Sequence, residues 1–358
     1  MKSVLLVVLF AVIAMPSYGK SVGNLYDAKI LVSDQSQSAR QEAARAGLLE
    51  VLQKVSGFAV PADRAVINKA LTIADQYLYQ FSYATVENGQ LAGALPGSLW
   101  LTMQFEGKSI QGLIKRGKLP RWGANRPSIL VWMAIDDGTK RLIMSDGVDH
   151  LGQKALQSGA LKRGLPLIYP LNDLDDSMTL PIEQLWGMFD EPIVQASKRY
   201  GAESVLASRI YKTTGGKWKG QWSFYLKGVK QNFVFETISL EQQVLEGLTA
   251  SAQVLANSFA LKPSNQDASS LSIQISAVRS LSDYAKVTQY LEKMAITKQV
   301  AVMKVNKDRL FMSLQLNGTV KQLKQTLALD RKLVPIKHKI EENEEPGSFD
   351  IEYFKWNL

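Results

Sequence analysis

The residues of this chain that could do chemistry fall into two acidic clusters, one basic segment and two isolated histidines. Asp173-Leu174-Asp175-Asp176 sets three carboxylates within four residues, a pattern that can gather a hard cation such as calcium. An EF-hand loop begun at Asp173 needs glycine at its sixth position and glutamate at its twelfth. Met178 and Gln184 stand there, so that loop is excluded. The plainer use of these acids is a solvated turn or a helix cap ahead of Pro181. Asp136-Asp137-Gly138 ends an apolar run, where α/β proteins often set ligands, although Asp-Gly after a strand is first of all a hairpin turn. Asp136, Asp137, Asp173, Asp175 and Asp176 are the candidate ligand loops.

Residues 107–126 carry six cations, Lys108, Lys115, Arg116, Lys118, Arg121 and Arg126, and no acid. Ile110, Leu113 and Ile114 share one helical face of this segment, and Trp122 adds an amphipathic ring. The six cations with Trp122 form a candidate surface for anionic lipid or cell-wall polymer, each cation contributing about 1 kcal/mol near acidic lipid. The pattern also serves structure, because the apolar trio can dock the helix on a sheet while Trp122 covers a core edge. From Gly112 to Lys118 the spacing matches a phosphate-binding P-loop. Leu119 then stands where the magnesium-binding Ser or Thr belongs, and the segment ends a helix instead of starting one, so that motif is excluded.

Catalytic signatures are otherwise missing. His150 and His338 lie far apart in the chain, and neither a His-Glu-x-x-His pair nor a Gly-x-Ser-x-Gly elbow occurs. His150 follows Gly147-Val148-Asp149 at a helix start and reads as a capping or solvated group. Cysteine is absent, which removes disulfides, thiol nucleophiles, cysteine metal sites and a lipobox anchor. No catalytic residue, metal site or cofactor is assigned. The expectation is a non-enzymatic protein. The competing reading is a hydrolase or transferase acting on cell wall or lipid, with a carboxylate site around Asp136 or Asp173.

The elements that must position these residues follow an N-terminal address. Met1-Lys2 is positive, residues 4–14 (VLLVVLFAVIA) are uninterruptedly apolar, and Pro16 breaks the run. Ser17 and Gly19 then sit at the minus-three and minus-one positions of a cut before Lys20. A secretory apolar region runs roughly 7–15 residues, whereas a bilayer-spanning helix needs about 20. The expectation is a cleaved signal peptide at 1–19 and a periplasmic mature chain with at most a peripheral hold on a membrane. The 358 residues are 46% hydrophobic with net charge +9, enough for two or three cores and attractive to anionic headgroups, polymers or acidic partners. Other envelope proteins are the expected partners, and export argues against nucleic acid.

Periodicity gives a multidomain α+β fold, two α/β-type sandwich units followed by a ferredoxin-like βαββαβ unit. In the first unit (20–127), a strand at 26–32 leads into a helix with Ser38 and Gln41 spaced as a capping box. Ala44, Leu48, Val51, Leu52 and Val55 form its buried stripe and Gly57 its stop. Strands at 77–86 and 98–105 and a helix at 108–116 follow. The central unit (128–262) opens with 129–135, a run expected to be covered on both faces, then a short strand at 140–144 and helices at 148–160 and 191–200. A meander at 204–211, 217–225 and 229–237 carries Trp218, Trp222 and Phe224 on one face, and a helix at 240–261 closes the unit. After a linker at 262–267, residues 271–336 read as the ferredoxin-like unit. The tail, 337–358, has an acidic spacer at 341–345 and an alternating stretch at 349–356 that can add to a sheet edge.

Three ordered motifs carry a family resemblance. Ser38-Ala39-Arg40-Gln41-Glu42-Ala43 with Val51-Leu52-Gln53-Lys54-Val55-Ser56-Gly57 is the first. Arg126-Pro127-Ser128 followed by the run at 129–138 is the second, and Arg163-Gly164-Leu165-Pro166-Leu167-Ile168-Tyr169-Pro170-Leu171 is the third. Together they are similar to the family catalogued as domain-of-unknown-function 2066 (DUF2066), exported proteins of Gram-negative proteobacteria. The resemblance implies a compartment and an organisation but transfers no reaction and no catalytic residues. More weakly, the first two units resemble envelope accessory domains of the flagellar and curli assembly type, and fold does not fix function.

Overall fold

The computed structural model describes residues 22–61, 64–86, 97–262, 269–330, 332–336 and 351–357. The proposed signal segment, all but Lys262 of the linker, His338 and the acidic run at 341–345 lie outside the described residues. Three sheets, each with its own buried core, make a multidomain α+β fold.

The first layer contains β1 (Asp27–Val32), α1 (Gln37–Ser56), α2 (Ala65–Thr72), β2 (Leu78–Thr85), β3 (Leu99–Phe105) and α3 (Gly107–Arg116). Its strands are antiparallel in the order β1-β3-β2. Leu101, Met103 and Phe105 alternate onto one face, where they meet Leu48, Leu52, Ile110 and Leu113 from the helices. The cap of α1 lies two residues earlier than the spacing suggests. Ser36, not Ser38, accepts from the Ala39 amide, at 3.2 Å. Gly57 ends the helix as expected, at φ 77°, with its N–H on the Gln53 carbonyl.

The second layer contains β4 (Ile129–Asp136), β5 (Arg141–Met144), α4 (Leu151–Arg163), β6 (Leu167–Ile168), α5 (Leu174–Thr179), α6 (Ile182–Trp186), α7 (Asp190–Ser197), β7 (Ser204–Lys212), β8 (Trp218–Leu226), β9 (Val229–Thr237) and α8 (Leu240–Phe259). The sheet runs β5-β4-β7-β8-β9, with β6 beside β4. The parallel pair β4–β7, from Ile129↔Ser204 to Asp136↔Tyr211, forms its centre. Ile129, Val131, Met133 and Ile135 pack towards α4 and α8, while Leu130, Trp132 and Ala134 pack towards α6 and α7. Coverage of both faces explains why this strand is apolar at every position. The meander forms as its turns dictate: Lys227 and Gly228 both take positive φ, 51° and 78°, the geometry of a tight type I′ hairpin. Trp222 and Phe224 are fully buried against α8, as the aromatic alternation predicts.

The third layer contains β10 (Ser269–Ser276), α9 (Leu281–Lys293), β11 (Thr297–Asn306), β12 (Arg309–Leu316), α10 (Val320–Asp330), β13 (Leu333–Pro335) and β14 (Ile351–Trp356). The βαββαβ order is present, but the sheet has five strands, β11-β12-β10-β14-β13. The tail strand β14 does not sit at an edge. It inserts between β10, to which it is parallel, and β13, to which it is antiparallel. Phe354 and Trp356 thereby enter the core with Ile273, Ile275 and Leu291.

Candidate functional site

The basic segment divides in two. Glu106 caps α3 by accepting from the Lys108 and Ser109 amides, and Ile110, Leu113 and Ile114 lock the helix onto the first sheet. This leaves Lys108, Lys115 and Arg116 exposed on the far side, with Lys118 exposed two residues past the helix end. Lys108 and Lys115 are seven residues apart, so they share one face two turns apart. Among the described residues none of these four cations is held in an ion pair. Since the apolar trio is buried in the protein's own core, it is not available for insertion into a bilayer, and the ridge is purely electrostatic.

The other three members of the segment belong to the interior. Arg121 is half-buried, and its backbone exchanges two 2.9 Å hydrogen bonds with Leu261 beyond α8. Trp122 is 1% exposed and Arg126 is fully buried, so neither can face an anionic surface. The reason is a demand from helix ends, whose last carbonyls lack intrahelical partners. Arg126 donates to the Lys54 carbonyl near the end of α1 (2.7 Å) and to the Arg163 and Gly164 carbonyls at the end of α4 (2.9 Å each). Further bonds go to Gly123 and Trp122, and a cation at two helix C-termini also complements both dipoles. Burial pushes its pKa down to about 9, which leaves it charged at neutral pH. The neighbouring residues extend the junction. The Trp122 amide bonds the Val55 carbonyl (2.7 Å), and the Asn125 side chain bonds the Thr326 carbonyl of α10 (3.2 Å). A Cβ on Gly123 would lie 2.9 Å from that of Ala295. Residues 121–126 therefore touch all three layers.

The acidic clusters are likewise held by the protein itself. Asp173 caps α5 and receives a two-pronged bond from Arg199, at 2.8 and 2.9 Å. Asp176 is 1% exposed and accepts from Arg199, Tyr200 and the Asn172 amide, whereas Asp175 is largely exposed. The Arg199 guanidinium holds the Asp173 carboxyl down at about 2. A fixed guanidinium thus occupies the place a cation would take, and among the described residues no group of three acids or histidines is arranged to hold a metal. Asp136 accepts from Gly138 N and pairs with Arg141 at 3.1 Å. Asp137 closes the turn by accepting from Thr139 and from the Lys140 amide. The Thr139 hydroxyl and amide lower its pKa to about 2. His150 is a cap: its Nδ1 accepts from Gly152 N at 2.9 Å, and Nε2 lies 3.9 Å from Asp137. Asp136 and Asp137 are thus held by the donors of their own turn, and Asp173 and Asp176 by Arg199 and Tyr200 at the capped start of α5. Sequence assigns Arg199 and Arg163 no role, because their partners lie 23 or more residues away and leave no local pattern.

A cavity of about 40 Å³ lies where α1 meets α4 and α8, lined by Gln53, Gly57, Phe58, Arg163, Thr249 and Gln253. Arg163 spans it, bonding Gln53 (2.7 Å) and Thr249 (2.8 Å). It has room for a few water molecules and not for a substrate. No helix of the described residues is long and apolar enough to cross a membrane.

Comparison with known proteins narrows the family reading. The family described as Domain of unknown function (DUF8605) matches residues 20–123, the span of the first sheet and the basic helix. The resemblance to the 2066 family is corrected accordingly: the matching family is a different one, and no match to 2066 is found. The motifs behind that resemblance are ones physics repeats, a helix stopped by glycine and a buried strand turned by Asp-Gly. No curated protein matches the chain. A solved structure titled "Crystal structure of uncharacterized protein" is similar at 11% identity over 37% of this chain and 91% of its own, with a TM-score of 0.18. A likeness at that score carries no argument.

Proposed function

We propose that the chain is an exported, periplasmic accessory protein of the cell envelope that works through surface contacts and not through catalysis. The observation that carries this reading is the ridge of Lys108, Lys115, Arg116 and Lys118, exposed and unpaired among the described residues on, and just beyond the end of, a helix whose apolar face is committed to the core. Four cations at about 1 kcal/mol each amount to about 4 kcal/mol near an acidic lipid surface, which corresponds to a dissociation constant of roughly a millimolar. The contact is therefore reversible, peripheral and sensitive to salt. The signal-like segment at 1–19 supports export. A carboxylate-based hydrolase or transferase has less support, since Asp137, Asp173 and Asp176 are each engaged by the protein's own donors. Sedimentation with anionic and neutral vesicles tests the reading, and binding that ignores both lipid charge and salt contradicts it.

A further inference from the structure

The outermost strand of the second sheet is β9. Among the described residues no other strand or bridge pairs with its far side, and the strands of this sheet and the segments that join them are all described. An edge strand offers a row of outward N–H and C=O groups to any strand that can pair with it, and proteins guard such edges by making them short, bulged or broken by proline. Most other edges of this molecule are guarded in that way. β13 has three residues and ends on Pro335, β5 has four, and register shifts interrupt β2 and β11. β9 runs for nine residues without proline, and its pairing with β8 is unshifted from Leu226↔Val229 to Trp218↔Thr237. Val229 and Val234 on it are each 60% exposed.

The side chains of β9 are complementary to themselves about the strand's midpoint, Phe233. An antiparallel copy centred there overlaps the whole strand and sets Lys230 opposite Glu236, Asn232 opposite Val234, and Phe233 opposite itself. Sliding the copy by two residues puts Lys230 opposite Val234 or Ile238 and loses both Lys–Glu pairs. Sliding it by one turns the buried face of one copy to the exposed face of the other. Phe233 and Phe235 lie on the α8 side, stacked 6.4 Å apart at the rim of the second core, so this register continues that core across the junction. Lys230 and Glu236 already hold Asp190 (2.5 Å) and Lys217 (3.1 Å) of their own chain. Across the junction these groups join into a row of alternating sign: Lys217, Glu236, then Lys230 and Asp190 of the second copy.

We propose that the occupant of this edge is a second copy of the chain, paired through β9 in the antiparallel register centred on Phe233, to give a two-fold dimer with one continuous sheet. The axis stands perpendicular to the sheet. The helices α4 and α8 of both copies therefore lie on one side of it, and with them both first layers, whose α1 packs on α4. Two α3 ridges on the same side of a dimer can meet one anionic surface together, which multiplies individually weak contacts. That last step rests on the surface-contact reading above, whereas the dimer itself does not.

The test is the mass of the full chain by sedimentation equilibrium across the micromolar range, where the wild type should show a concentration-dependent dimer. Lys230→Glu alone and Glu236→Lys alone should each weaken the dimer about tenfold or more, because each sets like charges opposite one another twice across the axis. An equimolar mixture of the two variants should recover it, since glutamate then faces lysine at both places, a rescue that a folding defect cannot produce. The chain has no cysteine, so Phe233→Cys should yield a self-linked dimer on oxidation, while Gln231→Cys, which faces Phe235, should not. A wild type that stays monomeric throughout, a dimer that both charge variants leave intact, a mixture no better than its components, or cross-linking through Gln231→Cys would each overturn the proposal. Glutamine at the four ridge positions should leave the dimer in place, so failure of the lipid-contact reading and failure of the dimer are separate results. A monomeric ridge variant would place the interface on α3 and overturn the proposal as well.

Discussion

The guanidinium carbon of Arg126 lies 4.0 Å from the ring centre of Trp122, and this buried stack sits where the ends of α1 and α4 converge. Gly57 permits the approach: a Cβ there would fall 2.4 Å from Ala256 of α8 and 2.8 Å from the indole. Two residues that look like part of a surface patch are thus the junction that holds the first two layers together, and their chain neighbours reach the third.

Replacing Arg126 by methionine should destabilise the protein by about 3 kcal/mol or more. Two helix ends would be left with buried, unpaired carbonyls, each worth about 1–3 kcal/mol. Arg126→Lys should rescue little, because an ammonium cannot reach both ends with a planar fork. Urea unfolding of both variants is the check, and a midpoint unchanged for Arg126→Met would show that the junction is dispensable.

Acid should weaken the fold through Asp173. Its folded pKa, about 2, lies below the ordinary value of 3.8, so its contribution is complete above pH 3.8 and is lost as pH falls towards 2. Asp137, also lowered to about 2, shares that window. Thermal melts of Asp173→Asn across pH 5 to 2 should show a shallower decline than the wild type. Parallel curves would mean that the Arg199 pairing adds no stability.

Truncation before Ile351 should unfold the third layer, because β10 and β13 pair through β14 and the cut removes Phe354 and Trp356 from the core. An excised piece spanning 269–336 should accordingly lack a cooperative melt, while one spanning 269–358 should have it. Hydrogen exchange on β10 and β13 reports the difference directly. Full protection of β10 in the truncated chain would contradict it.

The sequence made the regular elements legible where one physical rule governs them. Alternating aromatics placed β8, glycine placed the end of α1, and an unbroken apolar run announced that β4 is covered on both faces. It did not reveal the parallel pairing of β4 with β7, nor the insertion of β14, since both join segments more than 70 residues apart. The site shows the same divide. Lys108, Lys115 and Arg116 are exposed because they lie off the apolar stripe, as the helical pattern requires, and Lys118 is exposed just past the helix end. Arg126 and Trp122 continue the same run of charge and aromatic character, and only the position of two distant helix ends turns them inward. Asp173 and Asp176 look free in sequence because Arg199 arrives from 26 and 23 residues away.

The surface-contact reading is tested most directly by vesicle sedimentation of the wild type and of a variant with glutamine at Lys108, Lys115, Arg116 and Lys118. The substitutions lie off the buried stripe, so the melting temperature should not move. Wild-type protein should sediment with vesicles containing acidic phospholipid in low salt, stay in solution with neutral vesicles, and be released at about 0.5 M salt, where the screening length is only a few ångström. The variant should lose most of the binding, roughly a thousandfold if each cation contributes about 1 kcal/mol. Equal sedimentation of wild type and variant, or binding that persists in high salt, would contradict the account.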